Sequence, residues 1–186
     1  ILGSLSKALE RVRFNLLLPG FDGSSLTEEL PRFVCQKVVD GVVLLGEFPH
    51  RVVRNIHGYG IPTVLIDNYR TSVEVDSVTT DGFTASRQIV DHLVNLGHRN
   101  IAFMAYEQDG YNADQRQAGF VDGIQAHKLP STRCPILRNF TETIGAFESL
   151  QCQMKKGHAP TAVIMVNDTL ASEMQVCLKN EGFKIP

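Results

Sequence analysis

The sequence has little net charge of either sign. It contains 18 Lys and Arg residues against 20 Asp and Glu residues, a formal net charge of −2 over 186 residues. A domain that binds nucleic acid directly presents a strong excess of basic side chains. These residues are therefore not expected to contact DNA themselves. The length fits one domain or two small lobes with a substantial core.

Cysteine is scarce and scattered. The four cysteines form no CxxC pair and match no zinc or haem spacing. Isolated cysteines in a chain of this size are typical of the reducing cytosol. No apolar stretch approaches the roughly 20 residues of a membrane span, and residues 1–20 do not resemble a signal peptide. We therefore expect a cytoplasmic protein with no membrane partner.

Motifs for catalysis are also missing. The sequence contains no HExxH metal motif, no GxSxG nucleophile elbow, and neither GxGxxG nor GxxxxGK[ST] for phosphate binding. These absences argue against an α/β enzyme and against a metal ion or cofactor. The prediction is a protein that is not an enzyme.

Short apolar strands alternate with amphipathic helices along the chain. This pattern predicts an α/β fold with parallel sheets covered on both faces by helices. Its clearest unit is a β-α-β crossover, with a strand at 78–80, a helix at 83–96 that ends before Gly97, and a strand at 101–105. Further strands are predicted at 14–18, 42–45, 63–66, 136–137 and 162–166, and further helices at 2–11, 26–37, 49–58, 114–127, 143–156 and 169–181.

Polar residues follow several of these strands. Asp67, Asp81 and Asn167 each stand where a predicted strand ends. The carboxyl ends of parallel strands share one edge, where ligands bind in open α/β sheets. Such side chains suit a polyhydroxyl ligand, a sugar or a nucleoside. Alternatively, Asp81 and Asp168 cap the helices that follow them, whereas Asn167 is less easily explained as a cap.

Arg116 is predicted in the first turn of a helix, where the helix dipole disfavours a cation. A guanidinium placed there could bind a ligand's hydroxyl or carboxylate groups in a forked geometry. An ordinary surface arginine remains the alternative.

Several segments together resemble the effector-binding region of the lactose-repressor/galactose-repressor (LacI/GalR) family of bacterial transcription regulators. They occur in the family's order and spacing and cover nearly the whole chain. The matching segments are VDGVVLLG (39–46), IPTVLID (61–67), VDSVTTDGF (75–83), HLVNLGHRNIAFM (92–104), RQAGF (116–120), PTAVIMVNDTLA (160–171) and LKNEGFKIP (178–186).

The resemblance implies the fold of periplasmic sugar-binding proteins (type I), with two Rossmann-like lobes and a small effector in the cleft between them. The lobes would cover residues 1–76 and 77–186. By position, the effector-binding residues would be Asp67, Asp81, Arg116, Asn167 and Tyr111. Tyr111 belongs to a predicted loop at 106–113, and the aromatic side chains of this loop could stack on a sugar.

The chain also departs from the family pattern. Thr84, Ala85 and Ser86 stand where the family usually has small glycines, and Gly82 replaces a commoner asparagine. The resemblance further implies truncation at both ends, with the first strand of the first lobe and the end of the second lobe missing.

The expected function is effector sensing in a homodimeric repressor. Operator DNA would be bound by a helix-turn-helix domain that is not in this chain. The alternative is a periplasmic sugar-binding protein that serves a transporter.

Overall fold

The computed structural model describes residues 2–18, 30–46, 48–68, 73–157 and 159–185. The chain divides into two compact units. The first comprises Ile1–Ile66 with Thr71–Asp76, and the second comprises Asp67–Arg70 with Ser77–Pro186. The chain thus crosses the boundary three times, and Asp67 belongs to the second unit although it directly follows a strand of the first.

The first unit contains helices α1 (Leu2–Arg11), α2 (Arg32–Cys35) and α3 (His50–Gly58), and strands β1 (Val42–Leu45) and β2 (Thr63–Ile66). β1 and β2 pair in parallel, with Val42 opposite Thr63, and α3 forms the crossover between them. The sheet order is β1–β2–β3, where β3 is Asp76–Val78. Its core consists of Val34, Leu44, Val52, Val53, Ile56, Ile61 and Leu65.

The second unit contains α4 (Gly82–Asn95), β4 (Ile101–Met104), α5 (Tyr111–Ala126), β5 (Ile136–Leu137), α6 (Thr143–Met154), β6 (Ala162–Met165) and α7 (Asp168–Asn180). Its sheet is parallel in the order β5–β4–β6. Every residue of the central strand β4 is buried. A strand covered on both faces can be continuously apolar, which explains the unbroken run IAFM.

Helices α4 and α5 approach each other unusually closely. Both Gly119 and Gly123 of α5 face α4: an added Cβ at Gly119 would lie 2.0 Å from the Phe83 carbonyl oxygen, and one at Gly123 would lie 2.8 Å from Val90 Cβ. Residues later in α4 contact residues later in α5, so the two helices run parallel. This contact holds fixed the start of α4 and the first turns of α5, where several candidate site residues lie.

Most predicted elements are confirmed, including the α/β class, the parallel strands and the crossover that ends at Gly97, whose φ is +95°. The β3 strand lies two residues earlier than predicted, and α5 begins at Tyr111, inside the predicted loop. Of the helix expected at 26–37, the structure has Arg32–Cys35, and 26–29 lie outside the described residues.

The strand predicted at 14–18 is wrong. These residues adopt no regular structure, and the Phe14 amide bonds back to the Leu9 carbonyl oxygen, at the end of α1. A strand forms only when a neighbouring strand supplies its hydrogen-bond ladder. Leu17 and Leu18 are 57% and 58% exposed, so apolar composition here does not coincide with burial.

In the described part of the chain, no helix combines the length and apolar character that crossing a bilayer requires.

Candidate functional site

The candidate site lies at the carboxyl-end edge of the second unit's sheet. Three parallel strands, β4, β5 and β6, end there and are followed by the loop at 106–110, by Arg138 and by Asn167. The first turns of α4 and α5 reach the same region, because Gly82 of α4 contacts Arg116 of α5. Sequence reasoning predicted this edge.

Arg116 connects three elements of the second unit. From the second turn of α5 its Nη1 donates a hydrogen bond to the carbonyl oxygen of buried Val166, just after β6. Its Cγ lies 3.0 Å from the position that a Cβ would take at Gly82. Arg116 is half-buried, and its contact with a ligand stays a prediction. A guanidinium carries five N–H donors, and the bond to Val166 uses one.

Asn167 is the N-cap of α7. Its Oδ1 accepts a hydrogen bond of 2.9 Å from the Leu170 amide. The expectation that Asp168 provides this cap is wrong, because Asn167 is extended (φ −153°, ψ 172°) and Asp168 is the first helical residue. The cap uses the amide oxygen, so the exposed side chain still presents its NH₂ group as a donor.

Asp81 is the N-cap of α4, which confirms the capping alternative. Its Oδ1 accepts a hydrogen bond of 2.9 Å from the Thr84 amide. That backbone hydrogen bond lowers the pKa of Asp81 below its ordinary value, because it stabilises the carboxylate. The charge also lies at the positive end of the helix dipole.

Asp81→Ala is expected to lower the melting temperature at neutral pH through loss of this cap. A depressed carboxyl pKa contributes stability above the unfolded-state pKa of about 3.9 and loses it as the pH falls through the folded value. The melting-temperature difference from wild type should therefore shrink in acid. Asp81→Asn is the control, since asparagine caps without titrating. A difference for Asp81→Ala that does not vary with pH in thermal melts would contradict this account.

Asp67 is joined to α5 through Asn112. Asp67 has a positive φ of +57°, its amide donates to the Val78 carbonyl oxygen at 3.0 Å, and its own carbonyl accepts from Asn112 Nδ2 at 3.2 Å. Asn112 lies one helical turn before Arg116, on the same face of α5. Sequence reasoning missed Asn112, and only its i, i+4 spacing to Arg116 could have indicated it.

Asn68, next to Asp67, is 3% exposed, and its Nδ2 has no hydrogen-bond partner in the described ranges of the chain. Such a buried amide costs free energy unless something pairs with it.

Tyr111 is the first residue of α5 and is half-buried. The other aromatic residue of the predicted loop, Tyr106, is held by its neighbours: its hydroxyl bonds to Thr143 Oγ1 at 3.1 Å and to Glu173 Oε2 at 3.2 Å. Its ring meets Phe140 edge-on, with centroids 5.6 Å apart. Tyr106 therefore anchors the loop to α6 and α7.

Among the described residues, no group of three or more His, Cys, Asp or Glu side chains is placed to hold a metal ion. The four cysteines are free. Cys134 is buried, and burial raises the pKa of its thiol. The chemistry available at the strand edge is hydrogen bonding by amide, carboxylate and guanidinium groups.

The fold and this edge place the chain among α/β proteins with parallel sheets and polar strand ends. Residues 1–186 match the family model described as periplasmic binding proteins and sugar binding domain of LacI family. The chain therefore belongs to this family.

Solved structures share the fold. A LacI-family regulatory protein from Chloroflexus aggregans has a TM-score of 0.81 at 24% identity, over 98% of this chain and 66% of that one. A LacI-family regulator from Enterococcus faecium, solved with bound ribose, has a TM-score of 0.80 at 23% identity, over 100% and 68%.

Several curated relatives are named as repressors. The chain is similar to the HTH-type transcriptional repressor PurR of Actinobacillus pleuropneumoniae, with 25% identity over 81% of this chain and 45% of that protein. It is also similar to the arabinose metabolism transcriptional repressor of Geobacillus stearothermophilus, with 30% identity over 72% of this chain and 37% of that protein. The chain spans about half the length of the first of these relatives.

Proposed function

We propose that this chain is the effector-sensing region of a bacterial transcriptional repressor. A small polyhydroxyl ligand, a sugar or a nucleoside, binds at the carboxyl-end edge of the second unit's sheet. Binding controls a DNA-reading domain elsewhere in the protein. The repressor acts in the cytoplasm as a homodimer.

The observation that carries this proposal is the convergence of hydrogen-bonding groups on one edge. Arg116 reaches the residue next to Asn167 through the Val166 carbonyl, and it packs on the residue next to Asp81. Asn112, one turn away, holds Asp67. Tyr111 begins the same helix.

The ligand class follows from the mixture of groups. Carboxylates accept hydrogen bonds, the guanidinium donates them in a planar fork, and the asparagine amide does both. A hydroxyl group is also both donor and acceptor, so a ligand with several hydroxyls can satisfy all of these groups together. The ribose in the Enterococcus faecium structure supports this choice.

The regulator is favoured over the transport protein by the relatives. The family model covers both classes, but several curated relatives are named as HTH-type transcriptional repressors. An effector can act on DNA binding only through different affinities for two conformations of the protein. A signal peptide encoded upstream of this region, in place of a helix-turn-helix, would favour the transport protein.

Asn167→Asp separates capping from ligand binding. Aspartate caps helices as well as asparagine does. The free energy of unfolding of this variant should therefore stay within about 0.5 kcal/mol of the wild-type value. It replaces the NH₂ donor by an acceptor, however, and effector affinity should fall about tenfold or more, as expected when one partner of a buried hydrogen bond is lost. Asn167→Ala removes the cap and serves as the reference for its contribution; it should lower the free energy of unfolding by about 1 kcal/mol. Unchanged affinity by calorimetry in Asn167→Asp would remove this residue from the site.

The function itself is tested with the full-length protein. A thermal-shift panel of pentoses, hexoses and nucleosides should contain a ligand that raises the melting temperature, since a ligand at 100 times its Kd adds about 2.7 kcal/mol of stability. The same ligand should change the affinity of the full-length protein for the DNA fragment that it binds. A ligand that binds but leaves DNA affinity unchanged would contradict the regulatory role.

A further inference from the structure

Arg138 contacts more of the candidate site's framework than its place in the sequence suggests. It follows the short strand β5, and its side chain is only 22% exposed. Its Nε donates to the Tyr106 carbonyl oxygen at 3.2 Å, and its Nη2 donates to the Asp109 carbonyl oxygen. Its Nη1 pairs with Asp114 Oδ1 at 2.6 Å and donates to Gln117 Oε1 at 3.3 Å. One guanidinium thus joins the loop at 106–110 to α5.

These contacts require the shape of an arginine. The two carbonyl oxygens belong to the loop between β4 and α5, and the two side-chain acceptors lie on the first turns of α5. A planar guanidinium offers several donors in fixed directions, whereas the lysine ammonium is a single compact charge. Because Asp114 is 44% exposed, the charge pair alone contributes modestly, and the bonds to the loop carbonyls matter most.

The same loop is attached to the segment after β5 by contacts that do not involve Arg138. The Glu107 amide donates to the Phe140 carbonyl oxygen at 2.9 Å, and Gln108 Nε2 donates to the Thr141 carbonyl oxygen at 3.2 Å. These contacts persist when the guanidinium is removed. Loss of Arg138 should therefore loosen the loop and the start of α5 without unfolding the unit.

We propose that Arg138 is a positioning residue for the effector site. It acts through the loop at 106–110, which leads directly into Tyr111, and through Asp114 and Gln117, which flank Arg116 on α5. Binding groups are effective only when the residues that support them fix their geometry. This proposal rests on the proposed function, because it assigns Arg138 a role in presenting Arg116 and Tyr111 to the ligand.

The chain offers a matched control at the opposite edge of the sheet. Arg99 precedes β4, and its Nη1 also donates to two backbone carbonyl oxygens, those of Val94 and His98, each at 2.8 Å. Arg99→Gln therefore removes a comparable pair of bonds far from the strand ends that carry the site.

The first measurement is amide hydrogen exchange in the ligand-free, full-length protein. Arg138→Gln should raise exchange at residues 106–112 about tenfold, the effect of losing one charge-assisted hydrogen bond. Arg99→Gln should leave those amides unchanged. Arg138→Lys should show exchange at residues 106–112 close to that of Arg138→Gln, because a lysine cannot reproduce the several directed donors of the guanidinium. Unchanged exchange in Arg138→Gln, or an equal rise in Arg99→Gln, would overturn the proposal.

The second measurement is the affinity for D-ribose, D-glucose and adenosine, used as probes. For a probe that wild type binds, Arg138→Gln should weaken affinity about tenfold through faster dissociation, while its melting temperature matches that of Arg99→Gln. Faster loop exchange with unchanged affinity would overturn the positioning role. If wild type binds no probe, these ligands fail as effectors, while the exchange result still decides whether Arg138 holds the loop.

Discussion

Gly119→Ala is expected to prevent the second unit from folding. The added Cβ would lie 2.0 Å from the Phe83 carbonyl oxygen and 2.8 Å from its carbonyl carbon. Both are backbone atoms of α4, so no side-chain rotation relieves the clash and the two helices must separate. Overpacking of a core costs about 1–3 kcal/mol and sometimes more. We expect Gly119→Ala to lower the free energy of unfolding by the upper end of this range or beyond. That loss is a large part of the roughly 5–15 kcal/mol that stabilises a domain.

Two other glycines provide the controls. At Gly123 an added Cβ would lie 2.8 Å from Val90 Cβ and 3.0 and 3.2 Å from its two Cγ atoms. Val90→Ala removes the two Cγ contacts and keeps the Cβ contact, so it should rescue Gly123→Ala only in part. At Gly58, the last residue of α3, an added Cβ meets nothing within 4 Å, so Gly58→Ala should be neutral or slightly stabilising. Circular dichroism and thermal melts measure all four variants. A Gly119→Ala protein that melts like wild type would mean that α4 and α5 are not in such close contact.

The crossover that contains α4 could be predicted because its signals agree. Apolar residues recur at helical spacing, Gly97 marks the helix end with a positive φ, and the following strand is apolar without alternation because it is buried on both faces. Local propensity, burial pattern and turn chemistry all indicate one structure. The glycines of α5 gave no such signal, because a glycine that permits close approach has the same sequence context as one that does not.

Other features depend on partners that sequence patterns do not reveal. Residues 14–18 have strand composition but no ladder in the structure. Arg138 acts through residues 21 to 32 positions away in the chain, so no local pattern marks it. At the start of α7, both Asn167 and Asp168 are good capping residues, and the point at which the chain leaves β6 decides between them.

The sequence predicted where the candidate site lies better than it predicted which hydrogen bonds its side chains make. The strand-end rule correctly predicted the edge at which Asn167 lies and at which Arg116 meets the end of β6. The cap that Asp81 provides was one of the two predicted alternatives. The rule did not predict that Asn167 uses its amide oxygen to cap α7, nor that Asn112 and Arg138 form hydrogen bonds across the edge. Strand ends can be recognised from local patterns, but side-chain hydrogen bonds across a sheet edge depend on tertiary structure.

Arg116→Ala is expected to weaken both effector binding and folding. The carbonyl of buried Val166 loses the donor that Nη1 supplies, and an unsatisfied buried acceptor costs about 1–3 kcal/mol. The ligand loses a charged hydrogen-bond donor worth about 1.5–3 kcal/mol, so its affinity should fall by roughly 10- to 150-fold. Calorimetric titration of the full-length protein, with thermal melts on the same samples, measures the two effects separately.

Two further variants distinguish a ligand contact from a structural strut. Arg116→Lys retains a cation that can reach the Val166 carbonyl, so stability should largely return, whereas affinity should recover only in part because the fork is lost. Arg87→Ala removes an arginine that is 49% exposed and paired with Asp122 at 3.2 Å. It should change stability by less than about 1 kcal/mol and leave ligand affinity unchanged. If Arg116→Ala lowers the melting temperature but binds effector as wild type does, Arg116 supports the strand edge and does not contact the ligand.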